Sequence, residues 1–510
     1  MPDIVITSDT VTTTAQDLST TADAIFLLSN KFLLANTLGN GVTGSGTNQT
    51  FLIAGTLSAD GQGVVASGED ARISVTGDMI TDSSGISLNG INGSVSLSGS
   101  ITASGNGITA SGVPSEILVT SSGSIYSDDF GIRIGASFGP SSVSTGNVTN
   151  AGVISGSDLG IGITQSAYIN NSGVISKTGS DDFLGFAAAI MSYSGSNQTI
   201  WINNTGDIIG SAYFLSSGEL VAAESVRIEN GNGNTLVLFN AGNMLGNVTS
   251  GEMDDEITNS GEILGDVDLA GGADEMSNSG TIDGAVDLGD QNDVFENAGT
   301  GFVSGLVSGG AGEDTITGGT LGDDFEGGDD NDNVIGRAGD DTLAGGSGDD
   351  TVLGGSGADN LRGDSGADVL NGQSGNDTLI GGGGDDRLFG GQGNDDITAG
   401  EGADILRGDG GQDVFIFNST AETGTGSTRD RILGWEDGAD LIDLSGFGAL
   451  EFSATGAVGG GTASVWFDAV SGGAQTMLRI DADGNGSFDG QVLLVRADPA
   501  LFDQSDLILA

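Results

Sequence analysis

The sequence predicts an all-β protein made of stacked coils. Three observations carry that expectation: the glycine content, a degenerate repeat of about 20 residues, and a strict nine-residue register downstream of it. Glycine fills 94 of 510 positions and proline only 4, a composition of short strands joined by tight turns rather than of collagen or a proline-rich linker. Hydrophobic residues make up 36% of the chain, enough to line a thin core. A recurring period of this kind lets each repeat act as one coil that buries its apolar face against its neighbours.

Charge narrows the functional classes. The chain has 71 acidic against 13 basic residues, a net charge of −58, which disfavours nucleic acid and anionic membranes as partners and favours cations. Carboxylate oxygen is a hard ligand suited to Ca²⁺ or Mg²⁺. With no His and no Cys, zinc, haem and iron–sulfur ligand sets, thiol chemistry and His-based triads are excluded. The most apolar stretch, Ile25 to Ala35, is interrupted by Ser29, Asn30 and Lys31 and is too short to span a bilayer. Met1-Pro2-Asp3-Ile4 does not begin a basic and then apolar leader, so no cleavable signal peptide is expected.

Residues 1–50 are Thr- and Asp-rich with a short apolar patch, and are expected to form an amino-terminal cap. Residues 51–308 are expected to form a parallel β-solenoid of coils of about 19–22 residues. Its clearest repeats start at Asn150, Asn171, Asn204, Asn240, Asn259, Asn278 and Asn297, each followed two residues later by Gly. The last four are 19 residues apart and the earlier intervals are 21, 33 and 36. The long intervals are expected to be coils with extruded loops, for example around Phe183 to Asn197. Looser relatives begin at Gly55, Gly77, Gly99 and Gly123, and segments such as Ile86-Ser87-Leu88 alternate with period 2, the strand signature. Recurrent Asn at a turn can stack into a hydrogen-bonded ladder. The competing picture, a Gly/Ser/Asn-rich flexible stalk, is less favoured because the apolar positions keep their phase.

From Gly309 to Ile416 twelve nonapeptides follow one another without a break. Position 6 is always Asp: Asp314, Asp323, Asp332, Asp341, Asp350, Asp359, Asp368, Asp377, Asp386, Asp395, Asp404 and Asp413. Position 8 is always apolar, from Ile316 to Phe415. Position 1 is Gly except at Ala399, and position 4 is Gly except at Leu321 and Asp330. Glycines permit positive φ in a tight turn and leave carbonyls open to a cation. The Asp closes the turn with a charged oxygen, and the apolar residue starts a strand pointing inward. Two nonapeptides make about one coil, so carboxylates and turn carbonyls of adjacent coils face each other and can gather the six or more oxygens that Ca²⁺ takes. Without a cation, carboxylates at strand spacing repel, so folding is expected to be coupled to binding.

These units resemble the RTX, or haemolysin-type, calcium-binding repeat G-G-x-G-x-D-x-U-x of bacterial type I secreted proteins. The resemblance implies a parallel β-roll with Ca²⁺ held between turns, the twelve Asp residues as ligands, and weaker sites at Leu321, Asp330 and Ala399. Residues 417–510 extend it. Ser427-Thr428-Arg429-Asp430-Arg431-Ile432, then Gly434-Trp435-Glu436-Asp437-Gly438-Ala439-Asp440-Leu441-Ile442-Asp443-Leu444-Ser445, look like the region that follows the repeats in serralysin-type proteases. The last residues, Asp506-Leu507-Ile508-Leu509-Ala510, are similar to the uncleaved export signals of that group. By resemblance, residues 417–510 are a β-rich secretion domain, the partner is a type I ABC secretion apparatus, and the protein is extracellular. Within this region Asp481, Asp483, Asn485 and Asp489 place oxygens at alternate positions, like the first nine residues of an EF-hand loop. Position 12 is Leu493 instead of Glu, which leaves a Ca²⁺ site and a plain Gly/Asp turn between strands both open.

The expected function is that of a non-enzymatic, calcium-binding surface, adhesion or matrix component, with cell-surface or extracellular polysaccharide as a candidate partner. The alternative is a polysaccharide lyase, epimerase or hydrolase working on the solenoid. Such chemistry usually needs a base and a cationic group beside a sugar carboxylate. Between 51 and 308 the basic residues are only Arg72, Arg133, Lys177 and Arg227, far apart in sequence, and no His supports an epimerase or H-E-x-x-H motif. Paired carboxylates for glycoside hydrolysis are not excluded by spacing.

Overall fold

The structure, a computed structural model, describes residues 40–510 apart from 91, 112–114, 136–145, 180–187, 193–197, 211–223, 229–232, 437, 454–455, 457–460, 471–474 and 496–501. Before residue 40 and within 211–223 it describes only the backbone of short strands. The fold is all-β: no α-helix occurs among the described residues, and no helix is long and apolar enough to cross a membrane. The chain divides into two compact units, residues 1–276 with 280–286, and residues 277–279 with 287–510.

In the first unit each coil contributes three short strands to three parallel ladders. One coil consists of Arg72–Val75, Asp78–Thr81 and Ile86–Leu88, and the next of Gly93–Leu97, Ser100–Ala103 and Ile108–Ala110, paired residue for residue. The alternation seen in the sequence becomes a set of inward columns. Along one ladder Phe51, Ile73, Val95, Ile117, Val148, Ile169, Ile202, Leu238 and Ile257 stack directly on one another, all buried. A second column runs from Leu57 through Met79, Ile101 and Ile125 to Ile282, and a third from Val64 through Ile86 and Ile108 to Val267. Burying each such side chain contributes about 1.5–3 kcal/mol, and only because a neighbouring coil covers it.

The long repeats keep this register: Ala167↔Ile200 and Thr199↔Thr235 pair across the 33- and 36-residue intervals. Of the expected loop from 183 to 197, Ala188–Ser192 is a buried strand of the third ladder, and the rest lies outside the described residues. Within 1–50, Ile4–Ile6 pairs with Ala24–Leu27 and the latter with Thr50–Ile53, so the backbone of the expected cap follows the same ladder.

The recurrent Asn forms the ladder. Nδ2 of Asn150, Asn171, Asn204 and Asn240 each donates to Oδ1 of the next Asn at 2.8 Å, with the residues 0–2% exposed. An amide both donates and accepts, so the column satisfies itself. The Gly two residues on is required by close stacking: a Cβ on Gly206 would lie 2.1 Å from the Gly173 carbonyl oxygen.

In the second unit two nonapeptides make one coil, and the six-residue strands pair in parallel at an 18-residue offset, for example Val352↔Leu370 and Leu361↔Leu379. Every position-8 residue is buried. After the tract, Asp430–Leu433 pairs with Ile405–Gly410 on one side and with Gly490–Val495 on the other. Gly490–Val495 also joins an antiparallel sheet with Gln475–Asp481 and Ser464–Val470. Leu507–Ile508 pairs with Leu441–Asp443, which packs the last residues against the roll.

Candidate metal centres

Backbone pairing of position 8 forces the position-6 Asp residues into two rows, one at each edge of the roll. Within a row, each Asp N–H donates to Oδ1 of the Asp one coil further on. Asp332 to Asp350, Asp350 to Asp368 and Asp368 to Asp386 span 2.8, 2.9 and 2.9 Å. In the second row Asp341 to Asp359 and Asp359 to Asp377 span 3.0 and 2.9 Å. The twelve residues are 0–7% exposed. In eleven of the twelve, all but Asp323, Oδ2 is buried without a hydrogen-bond partner.

That second oxygen points to one place. A Cβ on Gly372 (position 1) would lie 2.2 Å from Asp377 Oδ2 and 2.7 Å from the carbonyl oxygen of Gly390, one coil on. Gly327 and Gly363 repeat the arrangement with Asp332 and Gly345, and with Asp368 and Gly381. Position 1 is therefore Gly because a carboxylate oxygen and the next coil's carbonyl close on the spot that a Cβ would take, the two oxygens together forming a cradle. The donors are all hard oxygens, which fit Ca²⁺ and suit no soft metal. Filling the cradle is expected to weaken it. Gly372→Ala should lower Ca²⁺ affinity at that turn at least tenfold by calorimetric titration. Gly383→Ala should leave affinity unchanged, since its Cβ would meet only a carbonyl oxygen at 4.0 Å.

The buried carboxylates resist ionisation. Burial, with the charges of Asp314, Asp350 and Asp330 added, pushes Asp332 up to about 7. Burial raises Asp341, Asp386 and Asp395 to about 7, helped by row neighbours, and Asp314, Asp368, Asp377 and Asp404 to about 6. Asp350, Asp359 and Asp413 are raised by burial as well. Only a proton or a cation relieves such a row.

The departures from the repeat act differently. Asp330 adopts the positive φ of position 4, at 76°, and Asp332 keeps its open oxygen. Leu321 does not take that conformation, and its turn closes on itself. Gly319 N–H donates to Asp323 Oδ2 at 2.9 Å and Asn297 Nδ2 to Asp323 Oδ1 at 2.7 Å. Asp323 is thus held by donors on both oxygens and stands apart from the other eleven. Ala399 puts a methyl at position 1 of the Asp404 turn.

The EF-hand-like loop joins two antiparallel strands, as a turn would, and also gathers its acids: carboxylate oxygens of Asp481, Asp483 and Asp489 lie within 4.8 Å of one another. Backbone N–H groups hold them. Asn485 N–H donates to Asp481 and Asp483, Gly486 N–H to Asp481, and Ala482 N–H to Asp489. The Asn485 side chain instead donates to Asp483 at 2.9 Å and accepts from Ser487 N–H.

Sequence reading missed Asp residues paired in the same way outside the tract. Asp255 and Asp274 occupy the same turn in the first unit, Asp255 N–H reaching Asp274 Oδ1 at 2.7 Å, and burial raises both to about 7. In the second unit Asp293 N–H reaches Asp314 Oδ1 at 2.8 Å. The signal was there: Asp255-Glu256-Ile257, Asp274-Glu275-Met276 and Asp293-Val294-Phe295 repeat the Asp-x-apolar order of the tract. A further line of acceptors, at position 5, was also missed. Asn331, Asp340, Asp349, Asn376, Asp385 and Asn394 each accept the N–H of the residue one coil on at 2.6–3.0 Å and pin the turns in register.

The match to a repeat family agrees with this geometry. The model of the RTX calcium-binding nonapeptide repeat matches residues 306–325, 317–352, 326–361, 353–388, 362–397 and 380–415. Among solved structures, the AlgE6R3 subunit of the Azotobacter vinelandii mannuronan C5-epimerase is 29% identical over 31% of this chain and 77% of its own, with a TM-score of 0.21. The AlgE6R2 subunit of the same enzyme is 23% identical over 33% and 91%, also at 0.21. A hyperactive, Ca²⁺-dependent, β-helical antifreeze protein from an Antarctic bacterium is 19% identical over 63% and 84%, at 0.32. No curated protein sequence matches this chain.

Proposed function

Since the chain carries RTX calcium-binding nonapeptide repeats across residues 306–415, we propose that it is a secreted, non-enzymatic protein whose roll folds when it meets extracellular Ca²⁺. The observation that carries this reading is the two rows of buried carboxylates, eleven with an Oδ2 that no hydrogen bond satisfies. In low Ca²⁺ inside a cell, the −58 charge keeps the repeats expanded and fit for export through a type I ABC apparatus, with residues 417–510 as the secretion domain. Outside, sites of the extracellular class, about 10⁻⁴–10⁻³ M, fill and the roll closes. Folding at the exit also opposes backsliding. The folded product serves as a surface, adhesion or matrix component, with extracellular polysaccharide as the partner class.

Replacing Asp350, Asp368 and Asp386 together by Asn removes three neighbouring charged ligands from one row. The Ca²⁺ midpoint of folding, followed by circular dichroism, should rise several-fold; an unchanged midpoint would remove these residues from the ligand set. Incubation with acidic polysaccharides should give binding without unsaturated products or chain shortening, and turnover would favour the enzymatic alternative.

A further inference from the structure

Asp430 lies beyond the nonapeptide tract and beyond the residues matched by the repeat model, yet it stands in the first row. Its Oδ1 accepts the Asp404 N–H at 2.9 Å, as each member of the row accepts from one coil back. The residue is fully buried and Oδ2 has no hydrogen-bond partner; Asp404 is likewise buried with an open Oδ2. Two buried carboxyls therefore meet at the end of the row, close enough to share a proton, and Glu422 and Asp385 add negative potential around them.

The second row ends differently. Asp440 Oδ1 takes the Asp413 N–H at 3.3 Å, and its Oδ2 takes the Glu436 N–H at 2.7 Å, so both oxygens are occupied by donors. Asp430 also has a distinctive position: it begins the strand that pairs with the roll on one side and with Gly490–Val495 on the other. Just before it, the Gly424 carbonyl accepts the Gln491 N–H at 3.1 Å.

We propose that Asp404, the last repeat member of the first row, and Asp430, beyond the repeats, hold one further divalent cation of the Ca²⁺ class, at a site that fastens the antiparallel sheet of the carboxy-terminal region to the roll. The proposal rests on the reading that the rows bind Ca²⁺, and adds a site and a structural role that the repeats do not supply.

The test compares the full chain, Asp430→Asn and Asp440→Asn at saturating Ca²⁺, by bound-ion stoichiometry and by the rate of limited proteolysis within residues 417–510. D430N is expected to bind one ion fewer and to be cut there at least tenfold faster, while keeping its Ca²⁺-induced β signal; D440N is expected to match the parent chain in both. Equal stoichiometry and equal protection in D430N would overturn the proposal while leaving the repeat sites intact. A parent chain that binds no Ca²⁺ would overturn the repeat reading and this site together. If D430N loses its β signal altogether, Asp430→Glu decides, because it keeps the charge but moves the oxygens by one methylene. At least tenfold weaker binding of the last ion would support the site, and unchanged binding would overturn it.

Discussion

Removal of Ca²⁺ by a chelator is expected to abolish the β signal of the second unit in one cooperative step and leave that of the first. The first unit's buried amide column supplies its own side-chain donors, whereas the second unit's carboxylate side chains only accept and leave eleven Oδ2 atoms without a donor. Two charges at strand spacing, about 4.8 Å, repel by roughly 3.5 kcal/mol at an effective dielectric near 20. Each ion bound at ten times its dissociation constant contributes about 1.4 kcal/mol, so half a dozen contribute about 8 kcal/mol, comparable to the entire stability of an ordinary domain. Far-UV circular dichroism of the full chain during a Ca²⁺ titration measures this directly, with Mg²⁺ as control. A transition near millimolar Ca²⁺ that Mg²⁺ does not reproduce is the expected outcome. A spectrum indifferent to Ca²⁺ up to about 10 mM, well above the extracellular class of sites, would contradict the mechanism.

Acid should partly replace the metal. In the metal-free roll, burial holds Asp332, Asp341, Asp386 and Asp395 near 7 and Asp314, Asp368 and Asp377 near 6, against about 3.9 in an unfolded chain. Between those values the folded chain retains protons that the unfolded chain has released. The linked stability is therefore fully present below about pH 4 and is lost as pH rises through 6 to 7. Without Ca²⁺ the chain should gain β structure on acidification from pH 7.5 to 5, opposite to ordinary acid denaturation. With Ca²⁺ present, protons compete for the same oxygens, and the folding midpoint should move to higher Ca²⁺ as pH falls below 7. Dichroism against pH at zero and 5 mM Ca²⁺ tests both; a metal-free chain that only loses structure on acidification would show that the carboxylates titrate as exposed groups.

Legibility in the sequence followed the constancy of the period. Where coils are 18 residues long, the Asp and apolar columns could be placed residue by residue, and all twelve position-8 side chains are buried as expected. In the second unit the rows continue through coils of other lengths, 21 residues from Asp293 to Asp314, 26 from Asp404 to Asp430 and 27 from Asp413 to Asp440, and in the first unit Asp255 and Asp274 make the same pairing at 19. A fixed register loses them there, although the ladder does not. The Asp323 turn escaped for another reason. Its donors come from Gly319 and from Asn297, 26 residues back, and only stacking brings that amide to the carboxylate. The 481–489 loop was ambiguous in the sequence because both readings demand the same Gly/Asp pattern, and the structure contains the turn and the gathered carboxylates together.

The cradle, built from an Asp oxygen of one coil and a carbonyl of the next, also determines how the roll would yield under load. No coil owns a complete cradle, so peeling the chain from one end breaks one shared set of contacts at a time. Each rupture frees 18 residues, about 60 Å of extended chain. The roll is then a ratchet with teeth of equal size, each reset by the surrounding ions when tension falls.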